Sequence, residues 1–293
     1  MSMLDAVEPP GGTGDSVAAA WKRADDERQR AARAAAVAAR HEEQITRGPA
    51  AMRSFHENMV RLHRVMENRH RAAFEIHAAY ARRLEKWRDN WSGDGPPPFM
   101  TTVAEISGSP SALVTLVGDH RSEALVAASD QVARTAHDLE STLGEGPARD
   151  ATAGRSPVAV MDAALDERWP LYGPAMRRLG IRSVAAAPLR TENHCFGALA
   201  VFRRRPFTRH EGVPELGAVA DALTRSVLLA DELPLLADTD RQPVVNQATG
   251  SVSVQCACSL TDALALIQAH AFAEGEPIET VAARVMSGQL RFR

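Results

Sequence analysis

The chain has 293 residues, 45% of them hydrophobic and 24% charged, with 34 basic against 37 acidic side chains. That length is about two domains with room for a real core, and the near-neutral balance excludes a global basic field, so a nucleic-acid partner would need a local patch. Cys195, Cys256 and Cys258 make no disulfide framework and no zinc set, and no apolar run approaches the roughly 20 residues needed to cross a bilayer. The opening Met1-Ser2-Met3 lacks the basic-then-apolar order of a signal peptide. A cytoplasmic protein without a metal or cofactor is expected.

Residues 1–15 are rich in Pro and Gly and are expected to be disordered. Residues 16–90 are good helix formers, interrupted once at Gly48-Pro49, where one helix must stop and another starts. The second helix carries a heptad. Met59, Met66, Ala73, Tyr80 and Trp87 recur every seven residues, with Phe55, Leu62 and Ile76 as the companion seam and Arg69 and Arg83 breaking it. This coiled-coil-like pattern suits a dimer, or a hairpin with the first helix, whose corresponding positions are mostly alanine. His56, His63, His70 and His77 repeat at the same spacing beside the seam. They read first as a solvated polar flank; brought to an interface, they would instead repel when protonated.

Residues 91–98 (WSGDGPPP) form a breaker-rich linker, and strand and helix patterns alternate from 99 to 236. Ala112 to Val117 and Ala124 to Ser129 read as strands, followed by a helix from Asp130 to about Leu139, capped by Ser129 or Asp130. Leu143 to Pro147 (LGEGP) forces a turn. Ser156 to Met161 reads as a strand and Pro170 to Leu179 as a helix closed by Gly180. Arg182 to Leu189 and Phe196 to Phe202 read as an antiparallel pair, and a helix from Pro214 to about Leu236 ends an α+β sheet domain.

The LGEGP run, Arg168-Trp169-Pro170 and the segment Ile181 to Phe207 resemble, in this order, actinobacterial GAF domains over about Ser111 to Leu229. The resemblance implies a six-stranded antiparallel sheet with helices behind it and a small-ligand pocket on the other face. Leu143, Trp169, Tyr172 and Met176 are then candidates for the pocket wall; on residue type alone they are ordinary core. The usual first GAF helix is reduced here to little more than Thr101 to Ile106, and no cyclic-nucleotide or chromophore-attachment signature is present.

Residues 243–293 read as an all-α three-helix bundle. Pro243 opens a first helix with Val244, Val245, Ala248 and Val252 on one face. Ser259 and Asp262 resemble a capping box before a second helix with Leu260, Ala263, Leu264, Ile267 and Ala271 on one face, closed by Gly275. Pro277 opens a third with Ile278, Val281, Ala282 and Val285 inward. The segments NQATGSVSVQ (from Asn246), SLTDAL (from Ser259), AHAFAEGEPIETVAARV (from Ala269) and LRF (from Leu290) resemble an ANTAR domain. That resemblance implies a homodimer that binds paired RNA stem-loops and prevents a transcription terminator from forming, under control of an upstream domain. Asn246, Gln247, Thr249, His270, Arg284 and Arg291 are the candidate RNA contacts. Two features depart from the family: Ala248-Thr249-Gly250 lacks the usual central lysine, and residues 244–293 carry Arg284, Arg291 and Arg293 against Asp262, Glu274, Glu276 and Glu279. Because RNA affinity rests largely on phosphate neutralisation, such a domain binds weakly by itself.

No nucleophile with its base, paired carboxylates or metal set stands out, and Gly11-Gly12-Thr13-Gly14 lacks the lysine and the preceding strand of a phosphate loop. The expectation is therefore a non-enzymatic regulator. Its GAF sensor controls an RNA-binding output, and DNA and membranes are not expected partners. The alternative is an interaction or dimerisation module that has lost RNA binding.

Overall fold

A computed structural model describes residues 13–91, 95–117, 123–207, 213–229, 243–276 and 278–292. The N-terminal tail expected to be disordered lies outside these up to residue 12, and its last residues already belong to the first helix.

Helices α1 (Thr13–Arg47) and α2 (Arg53–Asp89) form a long antiparallel hairpin. Gly48 and Pro49 break it as expected, with a single 3-10 turn at Ala50–Met52. The inward face of α1 is a small-residue seam in which Val17, Ala20, Ala24, Glu27, Ala34 and Ala38 are buried. Alanines bring the two axes close and leave room for larger side chains from α2. The seam of α2 does not fill that space. Its histidine flank does: His70 and His77 are buried, and His70 Nδ1 lies 2.6 Å from Glu27 Oε2. Nearer the turn, His41 Nδ1 and His56 Nδ1 are 2.8 Å apart and the His63 ring stacks on His41. The reading of this stripe as solvated is thus corrected, because the histidines face α1, together with Ala81 and Leu84, which pack on Val17 and Ala20. The lower part of the α2 seam, including Ala73, Ile76 and Tyr80, packs instead on the sheet domain.

That domain is an antiparallel sheet in the order β2-β1-β5-β4-β3, built from β1 (Ser111–Val117), β2 (Glu123–Ala128), β3 (Val158–Met161), β4 (Ser183–Arg190) and β5 (Cys195–Arg203). Among the described residues it has five strands, one fewer than the resemblance implied. Apolar residues alternate across it, as the two-residue period of a strand requires. Ala112, Val114, Leu199 and Val201 face α2, α3 (Phe99–Ile106) and α8 (Val213–Leu229). Leu113, Val184, Ala198, Ala200 and Phe202 face the opposite side. Gly197 has φ +150° and a Cβ there would fall 1.8 Å from the Thr115 carbonyl oxygen, so only glycine admits this strand pairing.

The opposite face is covered by α4 (Gln131–Leu143), α5 (Pro147–Gly154), α6 (Ala164–Arg168) and α7 (Tyr172–Arg178). α5 and α6 are short helices in stretches to which the sequence analysis assigned no element. α8 is described to Leu229; the rest of its expected span, to Leu236, lies outside the described residues.

The C-terminal helices α9 (Pro243–Cys256), α10 (Leu260–Glu274) and α11 (Ile278–Met286) share a core of Val245, Ala248, Val252, Ala263, Ile267, Val281 and Val285. Ser259 accepts from the Asp262 backbone N–H, and Gly275 closes α10 in the left-handed region. Leu260, expected on the inner face, is 62% exposed because it sits at the first position of α10, ahead of the packed turns. Among the described residues no helix is long and apolar enough to cross a membrane.

Candidate functional site

The face of the sheet away from the hairpin is assembled by the LGEGP turn. Asp130 starts α4, its Oδ1 accepting from the Ala133 N–H at 2.8 Å, and Gly144 ends it with φ +71°. Two glutamates then tie three segments together. Glu145 Oε1 accepts from the backbone N–H groups of Leu171 (2.6 Å) and Tyr172 (2.8 Å), where α7 begins. Glu140 Oε1 accepts from the Arg149 N–H at 2.6 Å, in the first turn of α5. A carboxylate at the start of a helix satisfies donors that have no partner within the helix. Gly146 is required beside it, since a Cβ would lie 2.6 Å from the Glu140 carboxyl carbon.

This clamp carries the predicted wall residues into one cluster. Trp169 is 2% exposed, Tyr172 and Met176 are fully buried, and Leu143 packs on them from the end of α4. The Trp169 and Tyr172 rings meet edge to face with centroids 5.8 Å apart. Trp169 Nε1 donates to Asp150 Oδ2 at 3.3 Å, and the same carboxylate takes Arg168 at 2.8 Å. The Tyr172 hydroxyl is buried without a hydrogen-bond partner, and burial, with the Glu140 charge behind it, holds its pKa well above the ordinary range. Ala186, Ala198 and Ala200 of the sheet belong to the same buried cluster. The arrangement is a packed aromatic and alanine core that also buries two polar side chains, Tyr172 and Glu140. Sequence reading took LGEGP only as a turn and so missed Glu145, and it singled out neither Glu140 before the turn nor Asp150 after it. Glu145 between two glycines, a donor-seeking carboxylate in a chain reversal, was the available signal.

The candidate RNA contacts are spread over the C-terminal helices. Gln247 and Arg291 are exposed, and the side chain of Asn246 lies outside the described residues. Thr249 is 8% exposed, and its hydroxyl donates to the Val245 carbonyl one turn back at 2.7 Å. Arg284 Nη1 sits between Glu274 Oε2 (2.5 Å) and Glu276 Oε2 (2.9 Å); hydrogen bonds to the two carboxylates raise its pKa, and Arg284 in turn lowers that of Glu274. His270 Nε2 is 3.1 Å from Glu274 Oε1, and its ring packs edge-on against Phe292. Since Gln255 Oε1 accepts from the Phe292 N–H, His270, Arg284 and Arg291 gather at the far end of α9. Gln247 stands roughly 12 Å away along that helix at 1.5 Å per residue.

The bundle rests on the sheet domain. α10 packs against α4, and Gln268 Nε2 donates to Ser141 Oγ at 3.1 Å. Among the described residues no group of three or more His, Cys, Asp or Glu is placed to hold a metal ion.

Among the described residues the domain is a five-stranded antiparallel sheet between a helical pair and a cap of short helices, with Trp169 and Tyr172 buried on its inner face. Residues 98–227 match the GAF domain family, so this part of the chain is a GAF domain, a signal-sensing module. The chain is also similar to a solved domain of a protein described as a two-component sensor histidine kinase from Sinorhizobium meliloti 1021. The identity is 16%, over 44% of this chain and 85% of that one, with a TM-score of 0.33. No curated protein matches the sequence.

Proposed function

We propose that this chain is a cytoplasmic, signal-responsive regulator and not an enzyme. Its GAF domain takes a small ligand on the face closed by Trp169 and Tyr172, and its C-terminal helices deliver the output. The observation that carries this reading is the seat of α10 on α4 through Gln268 and Ser141. α4 is also the helix that presents Glu140 and Leu143 to the ligand face. A ligand that inserts beside Tyr172 displaces α4 and with it the seat of the bundle. By linkage, that ligand binds the docked and undocked arrangements with different affinities.

For the output, the resemblance of residues 243–293 to ANTAR domains supports binding of paired RNA stem-loops by a homodimer, acting in transcription antitermination. Asn246, Gln247, His270, Arg284 and Arg291 would face the RNA, and Thr249 would stabilise α9 from within. One observation favours a second reading: the Arg284 guanidinium is already held by Glu274 and Glu276, which takes a phosphate-neutralising charge out of play. In that reading the bundle is a protein-docking element. Filter binding of the full chain to a tandem stem-loop RNA, repeated across a salt series, separates the two. Saturable binding whose salt slope shrinks in Arg291→Ala supports the RNA output. Binding no tighter than to an unstructured RNA of equal length leaves the docking element.

A further inference from the structure

The heptad seam of α2 is used in only half its length. Beyond Arg69, which pairs with Asp221 of α8 at 3.3 Å, the seam residues Ala73, Ile76 and Tyr80 pack with Phe99 and Met100 on the GAF domain. On the turn side of Arg69 the same seam runs on as Met52, Phe55, Met59, Leu62 and Met66, with Val65 alongside. Met52, Phe55, Leu62 and Val65 are 43%, 47%, 52% and 49% exposed. α1 reaches this face at Phe55, whose ring meets His41 edge-on with centroids 6.0 Å apart, and Met59 and Met66 are half-buried; otherwise α1 lies on the histidine flank, roughly 100° around α2 at 3.6 residues per turn. From Ala51 to Met66 the open face carries no charged residue; Arg53, Glu57, Arg61 and Arg64 all lie elsewhere on the helix.

We infer that this stripe is the contact between two copies of the chain, packed antiparallel about Met59. The inference rests on the homodimer of the reading above and names its surface. An uncharged seam of 3.5-residue period is complementary to itself: apolar side chains meet apolar side chains and no charge is stripped of water. Direction follows from the domain beneath. In a parallel pair the two GAF domains, each on the seam side of its own α2, would claim the same space. In an antiparallel pair each GAF domain lies beyond the turn of the partner hairpin. The layers are then Met52 against Met66, Phe55 against Leu62, and Met59 against its own mate. The contact covers at most about 1,000 Å² over both copies, at the low end of specific interfaces, so the dimer is a reversible one.

The test is the mass of the full chain by analytical ultracentrifugation over about 1–100 μM, a range in which a weak, reversible dimer changes its population. The wild type is expected to go from monomer to dimer, and Phe55→Ser/Leu62→Gln to remain a monomer with an unchanged circular dichroism spectrum. Met59→Cys, in a background with Cys195, Cys256 and Cys258 replaced by Ala, is expected to give a disulfide-linked dimer on mild oxidation. Glu57→Cys in the same background is expected not to. A wild-type monomer throughout overturns both the inference and the homodimer reading, as it would if another segment of the same chain covered the stripe. A dimer that survives the double substitution, with Met59→Cys linking no better than Glu57→Cys, overturns the surface and leaves the homodimer.

Discussion

Tyr172 and Glu145 show how far single residues decide the sensor face. Glu145 accepts two consecutive backbone N–H groups at the start of α7, so the orientation of the Tyr172 ring is set by a carboxylate in the preceding turn. The tyrosine hydroxyl is buried without a partner, and such a group costs roughly 1–3 kcal/mol of desolvation. Tyr172→Phe is therefore expected to leave folding stability unchanged or raise it by about 1 kcal/mol, read from urea unfolding. The same substitution is expected to weaken ligand binding, because a hydroxyl without a protein partner is a donor held ready for one. A clear loss of stability in Tyr172→Phe would show that the hydroxyl already serves the fold. Trp169 and Met176 were legible as large apolar residues, but their function as wall or core was not, since residue type is the same for both.

At the level of elements, the hairpin is the part that pH controls. Burial, with Arg23 nearby, pushes the His77 pKa down to about 4, and Glu27 opposes this only weakly. Burial and the neighbouring His56 and His63 hold His41 below the ordinary histidine value as well. A depressed folded-state pKa means that the neutral ring is the folded form. Its contribution is complete above pH 6.5 and is lost as pH falls towards 4, amounting to about 3 kcal/mol for His77. Thermal melts followed by circular dichroism should thus show the helices destabilised at pH 4.5 relative to pH 7.5, with the difference reduced in His77→Phe. A pH difference untouched by that substitution would place the sensitivity in another group. The helices and their break at Gly48-Pro49 were readable from composition and breakers. Which flank of α2 meets α1 was not, because heptad spacing marks an apolar seam without naming its partner. Two partners competed for it, and the larger apolar surface of the GAF domain took the lower half while the alanine seam of α1 took the histidines.

At the scale of the whole molecule, α4 touches both the sensor face and the C-terminal bundle, through Glu140 to Arg149 on one side and Ser141 to Gln268 on the other. Adjacent residues point to different sides of a helix, so one displacement is felt at both. Ser141→Arg is expected to push α10 off its seat. Amide exchange in α10 should then rise, and RNA binding should tighten about tenfold, within the usual range of allosteric coupling. Faster exchange without a change in RNA affinity would mean that docking does not restrain the output.

The sequence by itself determined the helical N-terminal region, the GAF-type alternation of strands and helices, and the inward faces of the C-terminal helices. Each rests on local periodicity, capping residues and breakers, which act over a few residues. The tertiary structure alone decided that the histidine stripe faces α1, that Glu140 and Glu145 clamp the sensor face, that Arg284 is bound to two carboxylates, and that half of the α2 seam remains open. These depend on contacts between residues far apart in the chain, where the winner is set by which surfaces fit and how much apolar area they remove from water.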